Sequence, residues 1–253
     1  MDGKELRKAI TAKTDKTVKE FARADFWHYT SIDKAEKIVY GDTPGFFASR
    51  LDRMNDIDEA ELHNDEKERL FVLSFCNTGK EKIPMWYMYS GLEGKGVGLG
   101  MTPGRMKKFI NTINVVNPVN GTALSKKFVK GVDFDIYAGW VVYRNPKEPN
   151  NYHFKSDWHD NIDPNFEKEN YFIKLYPWYY EDEFRIVFKF KEPIEYKSIY
   201  IPTPTNLKFK AIYGPGFGGN KKAPDTLLDK SKLLKSSFSD LKIRMNLRER
   251  HKK

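Results

Sequence analysis

A chain of 253 residues, 40% apolar and 15% aromatic, can bury one sizeable core, which excludes a disordered or fibrous protein. Its net charge of +9 admits a nucleic-acid or phosphate-bearing partner without requiring one. A single cysteine excludes an internal disulfide framework, and no apolar run reaches membrane-spanning length or forms a signal-peptide core, so a cytoplasmic protein with no membrane partner is expected.

In chain order, residues 3–22 carry Leu6, Ile10, Val18 and Phe21 among lysines and arginines and predict a peripheral helix. Phe26 to Tyr29 predict a first strand, and Thr30-Ser31 cap a helix that starts at Ile32 and ends at Gly41. Gly45 to Ala48 form a second short strand, followed by a polar segment over 50–56 and an acidic helix over 57–68. Leu70 to Cys76 are apolar nearly throughout and predict a central strand. Pro84 suits the first turn of a helix ending near Tyr89, and Gly94 to Met101 are a strand entered through glycines. A helix over 103–113 follows. Residues 117–165, rich in Asn, Pro, Lys and aromatics, read as a surface excursion or lid with one strand at 139–143. A helix near 165–176 leads to strands at 183–190, 195–201 and 207–213, a turn at 214–219, a helix over 222–235 and a last strand at 241–244. There is no βαβ rhythm and no repeat, which predicts one α+β domain of mixed or antiparallel sheets with flanking helices over 26–245, between a helical extension at 1–25 and a basic tail at 246–253.

The chemistry gathers between Lys174 and Val187. From Glu183 the residues alternate, so Glu183, Arg185 and Val187 share one strand face and Phe184, Ile186 and Phe188 the other, with Glu181 expected beside Glu183. Carboxylates and a guanidinium this close are either a satisfied ion-pair cluster or an active site. Gly96, Gly98 and Gly100 lack the lysine and serine of a phosphate loop, and close backbone approach in a sheet explains them better. His153, Asp157, His159 and Asp160 cluster without helical ligand spacing, and no metal is expected. His28, before a capped helix, suits a sugar hydroxyl or phosphate, or a backbone-bonded core histidine. Asn55, Asp56 and Glu59 suit a helix start, and Trp86, Tyr87 and Tyr89 either stack on a planar ring or fill the core. Cys76 reads as a small buried apolar residue.

Taken in order, His28-Tyr29-Thr30, Asn55-Asp56 with Glu59, Ser74-Phe75, Met85-Trp86 with Tyr89, Gly96 to Gly100, and Trp178 through Arg185 resemble the motifs of bacterial domain-of-unknown-function family 2971, over roughly residues 26–245. One departure is that two tyrosines precede Glu181. A more distant similarity is to the ADP-ribosyltransferase fold, in which a first-strand histidine, an aromatic residue and a late-strand glutamate act on NAD. That resemblance implies NAD as substrate and no metal. It implies His28 at the ribose, Trp86 or Tyr89 on the nicotinamide and Glu183 polarising the nicotinamide ribose, with Tyr29, Thr30 and Arg185 counted among the cofactor-binding residues; Arg185, on the same strand face, would also hold Glu183 ionised. Glu181 then looks like the first acid of the Glu-x-Glu pair of arginine-modifying members, whose first strand carries arginine where this chain has His28. A toxin or phage-defence effector with a protein or nucleic-acid acceptor is implied as well. The alternative is a non-catalytic nucleic-acid- or nucleotide-binding module of a defence or mobile-element system, resting on the basic ends and aromatic content. A hydrolase using the same carboxylates would need a metal or nucleophile that the sequence does not offer.

Overall fold

The computed structural model describes residues 25–40, 43–77, 81–90, 95–118, 127–144, 152–153, 159–160, 171–204, 206–217 and 232–235. The helix expected over 3–22, the strand over 241–244 and the basic tail lie outside them. The strands are β1 (Phe26–Ser31), β2 (Gly45–Arg50), β3 (Leu70–Asn77), β4 (Gly96–Met101), β5 (Val115–Pro118), β6 (Phe128–Val129), β7 (Phe134–Trp140), β8 (Val142–Arg144), β9 (Tyr152–His153), β10 (His159–Asp160), β11 (Ile173–Leu175), β12 (Glu183–Phe190), β13 (Ser198–Pro202), β14 (Lys210–Tyr213) and β15 (Lys232–Lys235). The helices are α1 (Ile32–Val39), α2 (Ile57–Leu62), α3 (Ile83–Tyr89) and α4 (Pro103–Thr112). Among the described residues eleven strands join one sheet, antiparallel except where β14 meets β15, and β8 to β11 form a small second sheet. The fold is therefore α+β, dominated by an antiparallel sheet. Among the described residues no helix is long and apolar enough to cross a membrane.

Period-two alternation assigns the two faces of the large sheet. Phe26, Phe75, Leu99, Phe184, Ile186 and Phe188 point into the main core, which Ala35 and Ile38 of α1 and Met106 and Phe109 of α4 cover. The opposite face carries Trp27, Tyr29, Ser74, Cys76, Glu183 and Arg185, by the register that pairs Trp27 and Glu183 with Cys76, and Arg185 with Ser74. Met85 and Trp86 of α3 cover part of that face.

An irregularity in the pairing creates the site. Strand β3 has three neighbours but only two edges. β12 runs along one edge from Leu70 to Cys76. On the other, β2 pairs at Phe71 and Val72 while β1 pairs at Cys76 and Asn77. The two strands diverge between these points, and the middle of β3 meets a side chain in place of a ladder: His28 Nδ1 lies 3.0 Å from the Ser74 carbonyl oxygen.

Several expectations are corrected. Residues 128–140 are no surface excursion, because β7 pairs with β12 along seven residues inside the large sheet. As an edge strand it buries one side only, with Tyr137 exposed beside buried Phe134, so no continuous apolar run announces it. The helix expected near 165–176 is not found in its described part, where Ile173–Leu175 is a strand and a 3-10 turn starts at Tyr176 with Pro177 in its first turn. The acidic helix stops at Leu62, and residues 232–235 are a strand.

The glycines of β4 are explained by packing. Gly96, Gly98 and Gly100 lie opposite Ser31, Tyr29 and Trp27. A Cβ at Gly96 would stand 2.0 Å from the Ser90 Cβ and 2.6 Å from the Thr30 carbonyl oxygen, and one at Gly100 would stand 2.6 Å from the Trp27 ring. At Gly98 the nearest atoms are 3.5 Å away. Gly96→Ala and Gly100→Ala should each lower the unfolding free energy by about 1–3 kcal/mol. Gly98→Ala should change it by less than about 1 kcal/mol. Urea denaturation of the three variants distinguishes this from a ligand-binding role, in which all three would leave stability alike.

Candidate functional site

A cavity of about 330 Å³ opens where β1 and β2 part. Trp27, His28 and Tyr29 from β1, Ser74 and Cys76 from β3, Met85 and Tyr89 from α3, and Lys174, Glu181 and Glu183 line it. His28, Tyr29, Tyr89, Glu181 and Glu183 all line it, although His28 and Glu183 are 155 positions apart in the chain; His28 does so from the gap between the strands, with its ring also against Phe46 and Phe75 of the main core.

The acids reach the cavity by different routes. Glu183 opens β12 and shares its face with Arg185, as the alternation predicts. Glu181 does not continue that strand. It closes the 3-10 turn Tyr176–Glu181, and Asp182 follows with φ 43°, ψ 51°, the left-handed region that costs a non-glycine residue about 1 kcal/mol. Lys82 pairs with the Asp182 carboxylate, and the Asn77 amide donates to the Asp182 carbonyl at 2.9 Å. These contacts hold the bend that sends both carboxylates to one wall.

Glu183 is saturated. Its Oε1 accepts from Ser74 Oγ at 2.5 Å and Arg185 Nε at 3.0 Å. Its Oε2 accepts from Arg185 Nη2 at 2.8 Å and lies 3.2 Å from Lys174 Nζ. Four donors fill the four acceptor directions of a carboxylate. Burial opposes its charge, but Arg185 and Lys174 outweigh burial and hold its pKa well below the usual carboxylate range. Glu181 is less occupied: Tyr89 donates to Oε1 and Lys174 Nζ sits 2.6 Å from Oε2, one partner on each oxygen. Burial raises its pKa against the pull of Lys174, with Glu183 pushing the same way as burial.

Behind this wall the network extends to Glu59 of α2, which receives Arg185 Nη1, while Arg185 Nη1 also donates to the Tyr171 carbonyl at 2.8 Å. Burial raises the Glu59 pKa despite the guanidinium. Burial would discharge the Lys174 ammonium, but Glu183 and Glu181 keep it charged and raise its pKa. Three carboxyl groups, Glu59, Glu181 and Glu183, thus face two cations, Lys174 and Arg185, all buried. His28 is neutral in this setting, because enclosure lowers its pKa against the Ser74 bond, with Lys34 adding repulsion. A carbonyl only accepts, so Nδ1 carries the proton and Nε2 keeps its lone pair.

Three of the expected binding residues do not face the cavity. Trp86 is fully buried, edge-on to Tyr29, with Nε1 donating to Glu81 at 3.1 Å, so it is core; Trp27 and Tyr89 supply the aromatic wall instead. Thr30 is buried on the main-core side, and Arg185 stands behind Glu183 as its support. Asp56 caps α2 by accepting the Glu59 amide at 3.2 Å, as the sequence suggests, but Glu59 itself turns inward to Arg185. Lys174 and Ser74 are the residues that sequence reasoning misses. A lone lysine between Ile173 and Leu175 reads as reaching out to solvent, and only its two acid partners reveal it.

His153 and His159 are register partners across β9 and β10, and Asp157 lies outside the described residues. Among the described residues no group of three or more His, Cys, Asp or Glu is placed to hold a metal ion.

Residues 85–186 match the model of DUF2971, a protein family of unknown function. Over that segment the chain is similar to this family. The match runs from α3 to the first half of β12, carrying Tyr89, Lys174, Glu181, Glu183 and Arg185, and is narrower than the span over which the ordered motifs resemble it. No curated protein and no solved structure matches the chain.

The network has two measurable consequences. Arg185→Met strands Glu59 and Glu183 as buried anions and should cost about 3–5 kcal/mol of stability in denaturant titration at neutral pH. The acid response carries a definite sign. The unfolded chain protonates a glutamate near pH 4.3, about the ordinary value, whereas folded Glu183 does so only at lower pH. Its stabilisation is therefore whole above that pH and is lost as the pH falls below it. Unfolding free energy measured from pH 6 down to pH 3 should fall less steeply in Glu183→Gln than in the unaltered protein. Glu181→Gln should steepen the fall, since folded Glu181 has a raised pKa and so favours the native state as it takes up a proton.

Proposed function

We propose that the cavity takes the nicotinamide-ribose end of NAD and that the protein is an ADP-ribosyltransferase-like enzyme. The observation that carries this is the convergence of His28, Tyr89, Glu181 and Glu183 on one cavity, with three buried carboxyl groups against two buried cations in and behind its wall. The order of these residues along the chain resembles that of ADP-ribosyltransferases.

The proposed chemistry is cleavage of the bond between the ribose C1′ and the nicotinamide nitrogen. Its electron pair leaves with neutral nicotinamide, and the positive charge moves from the ring to an oxocarbenium-like ribose. A unit negative charge about 4 Å from C1′ would be worth about 4 kcal/mol at an effective dielectric of 20, roughly a thousandfold in rate, and a carboxylate partly neutralised by its cations correspondingly less. Glu183, held anionic by four donors, supplies a fixed field and moves no proton. Glu181 keeps acceptor directions open and is the group to receive the proton released when an acceptor attacks C1′. Trp27 and Tyr89 offer ring faces for the nicotinamide, and His28, with Nε2 unprotonated, accepts from a ribose hydroxyl. Within this proposal the protein is an effector of the toxin or phage-defence kind, with a protein or nucleic acid as acceptor.

Incubation with labelled NAD and a bacterial lysate tests it. Glu181→Gln and Glu183→Gln should each lower label transfer by about 100-fold or more, with circular dichroism unchanged. No transfer and no NAD hydrolysis by the unaltered protein, or full transfer by the doubly substituted one, would sink the proposal.

A further inference from the structure

A cavity of about 330 Å³ is near the small end of ligand sites and takes a nicotinamide riboside rather than a dinucleotide. On the NAD reading of this cavity, on which this inference rests, the diphosphate and adenosine must lie at its mouth. The lining residues there are of a different kind from those of the floor. Lys34 sits in the first turn of α1, directly after β1, and Arg53 in the 3-10 turn Leu51–Arg53, directly after β2. Each cation follows one of the two strands whose divergence opens the cavity, and both line it.

Neither cation has a close ion-pair partner among the described residues, and Lys34 has none there at any distance that counts as an ion pair. Arg53 is half exposed, and its one acid neighbour among them, Asp52, lies 3.8 Å away. Asp52 is already neutralised by Arg50, which grips it from Nε at 2.8 Å and Nη2 at 2.9 Å. The third lining cation, Lys174, is engaged by Glu181 and Glu183. Among the described residues Glu181 and Glu183 are also the only carboxylates in the lining, both deep in the wall. Phe47 of β2 lines the same mouth, edge-on to Tyr200 and 39% exposed, so part of its ring is open to a base.

We propose that Lys34 and Arg53 clamp the diphosphate of a nucleotide at the cavity mouth, with the base against Phe47. The site is then polarised, negative at the floor and positive at the rim. A ligand with a cationic ring and an anionic diphosphate enters it one way round. The same clamp takes ADP, which has the diphosphate and base but no nicotinamide riboside.

Calorimetric titration of the full chain and of Lys34→Gln/Arg53→Gln with NAD, ADP and nicotinamide riboside tests the clamp. Both side chains are solvent-exposed, so the thermal unfolding midpoint should not move. NAD and ADP should bind the variant about tenfold or more weakly, while nicotinamide riboside changes by less than about twofold. Raising the salt concentration should weaken NAD binding to the unaltered protein more than to the variant. Equal NAD affinity in the two proteins overturns the clamp and leaves the NAD reading standing. ADP binding that the variant loses, with no binding of NAD or nicotinamide riboside, supports the clamp and removes the NAD reading. Failure of the unaltered protein to bind either NAD or ADP overturns the clamp.

Discussion

The ionised carboxylate of Glu183, gripped by Arg185 and Lys174 inside the sheet, is the constraint on which the rest of this site depends. Burying a carboxylate alone is expensive, and here two cations and a serine hydroxyl offset that cost. As a device for stability the network is a poor one, since apolar side chains of equal volume serve a sheet as well or better. What it provides is a charge of fixed sign and position in a wall that water scarcely reaches. It also ties α2, β11, β3 and β12 together through Glu59, Lys174, Ser74 and Arg185.

The division of labour between two acids only two residues apart comes from that grip. Glu183 has two cations and no free acceptor direction; Glu181 has one cation, one tyrosine and room for a further donor. Neighbours in sequence thus acquire opposite pKa shifts, one down and one up, the pattern by which carboxylates divide into fixed charge and proton carrier. The left-handed Asp182 between them is the backbone feature that allows it, because a continuous strand would have given both acids similar surroundings.

Access to these acids comes from the sheet's own irregularity. Two strands share one edge of β3 and then separate, and His28 bridges the interval to the Ser74 carbonyl. The glycines of β4 leave space for the rings of Trp27, Tyr29 and Trp86 on the cavity face. A sheet with complete ladders would present a flat wall at this point. This one presents a cleft with acids at the bottom and lysine and arginine at the lip.

Much of the local structure is legible in the residues themselves. The alternation from Glu183 assigns both faces of β12, the apolar run from Leu70 marks the central strand, Pro84 marks the start of α3, and the spaced glycines announce close packing. These signals are short-range and depend only on the period of the backbone. The edge strand β7 escapes them because half of it faces solvent, and the turn before Glu181 escapes them because its bend is held from outside by Lys82 and Asn77. Which carboxylate is saturated, that Lys174 is buried between two acids, and that Trp86 is core while Trp27 lines a cavity were decided by tertiary structure alone. The physical reason is distance along the chain: Ser74 reaches Glu183 across 109 residues and Glu59 reaches Arg185 across 126, and no local pattern encodes a register set by strands so far apart.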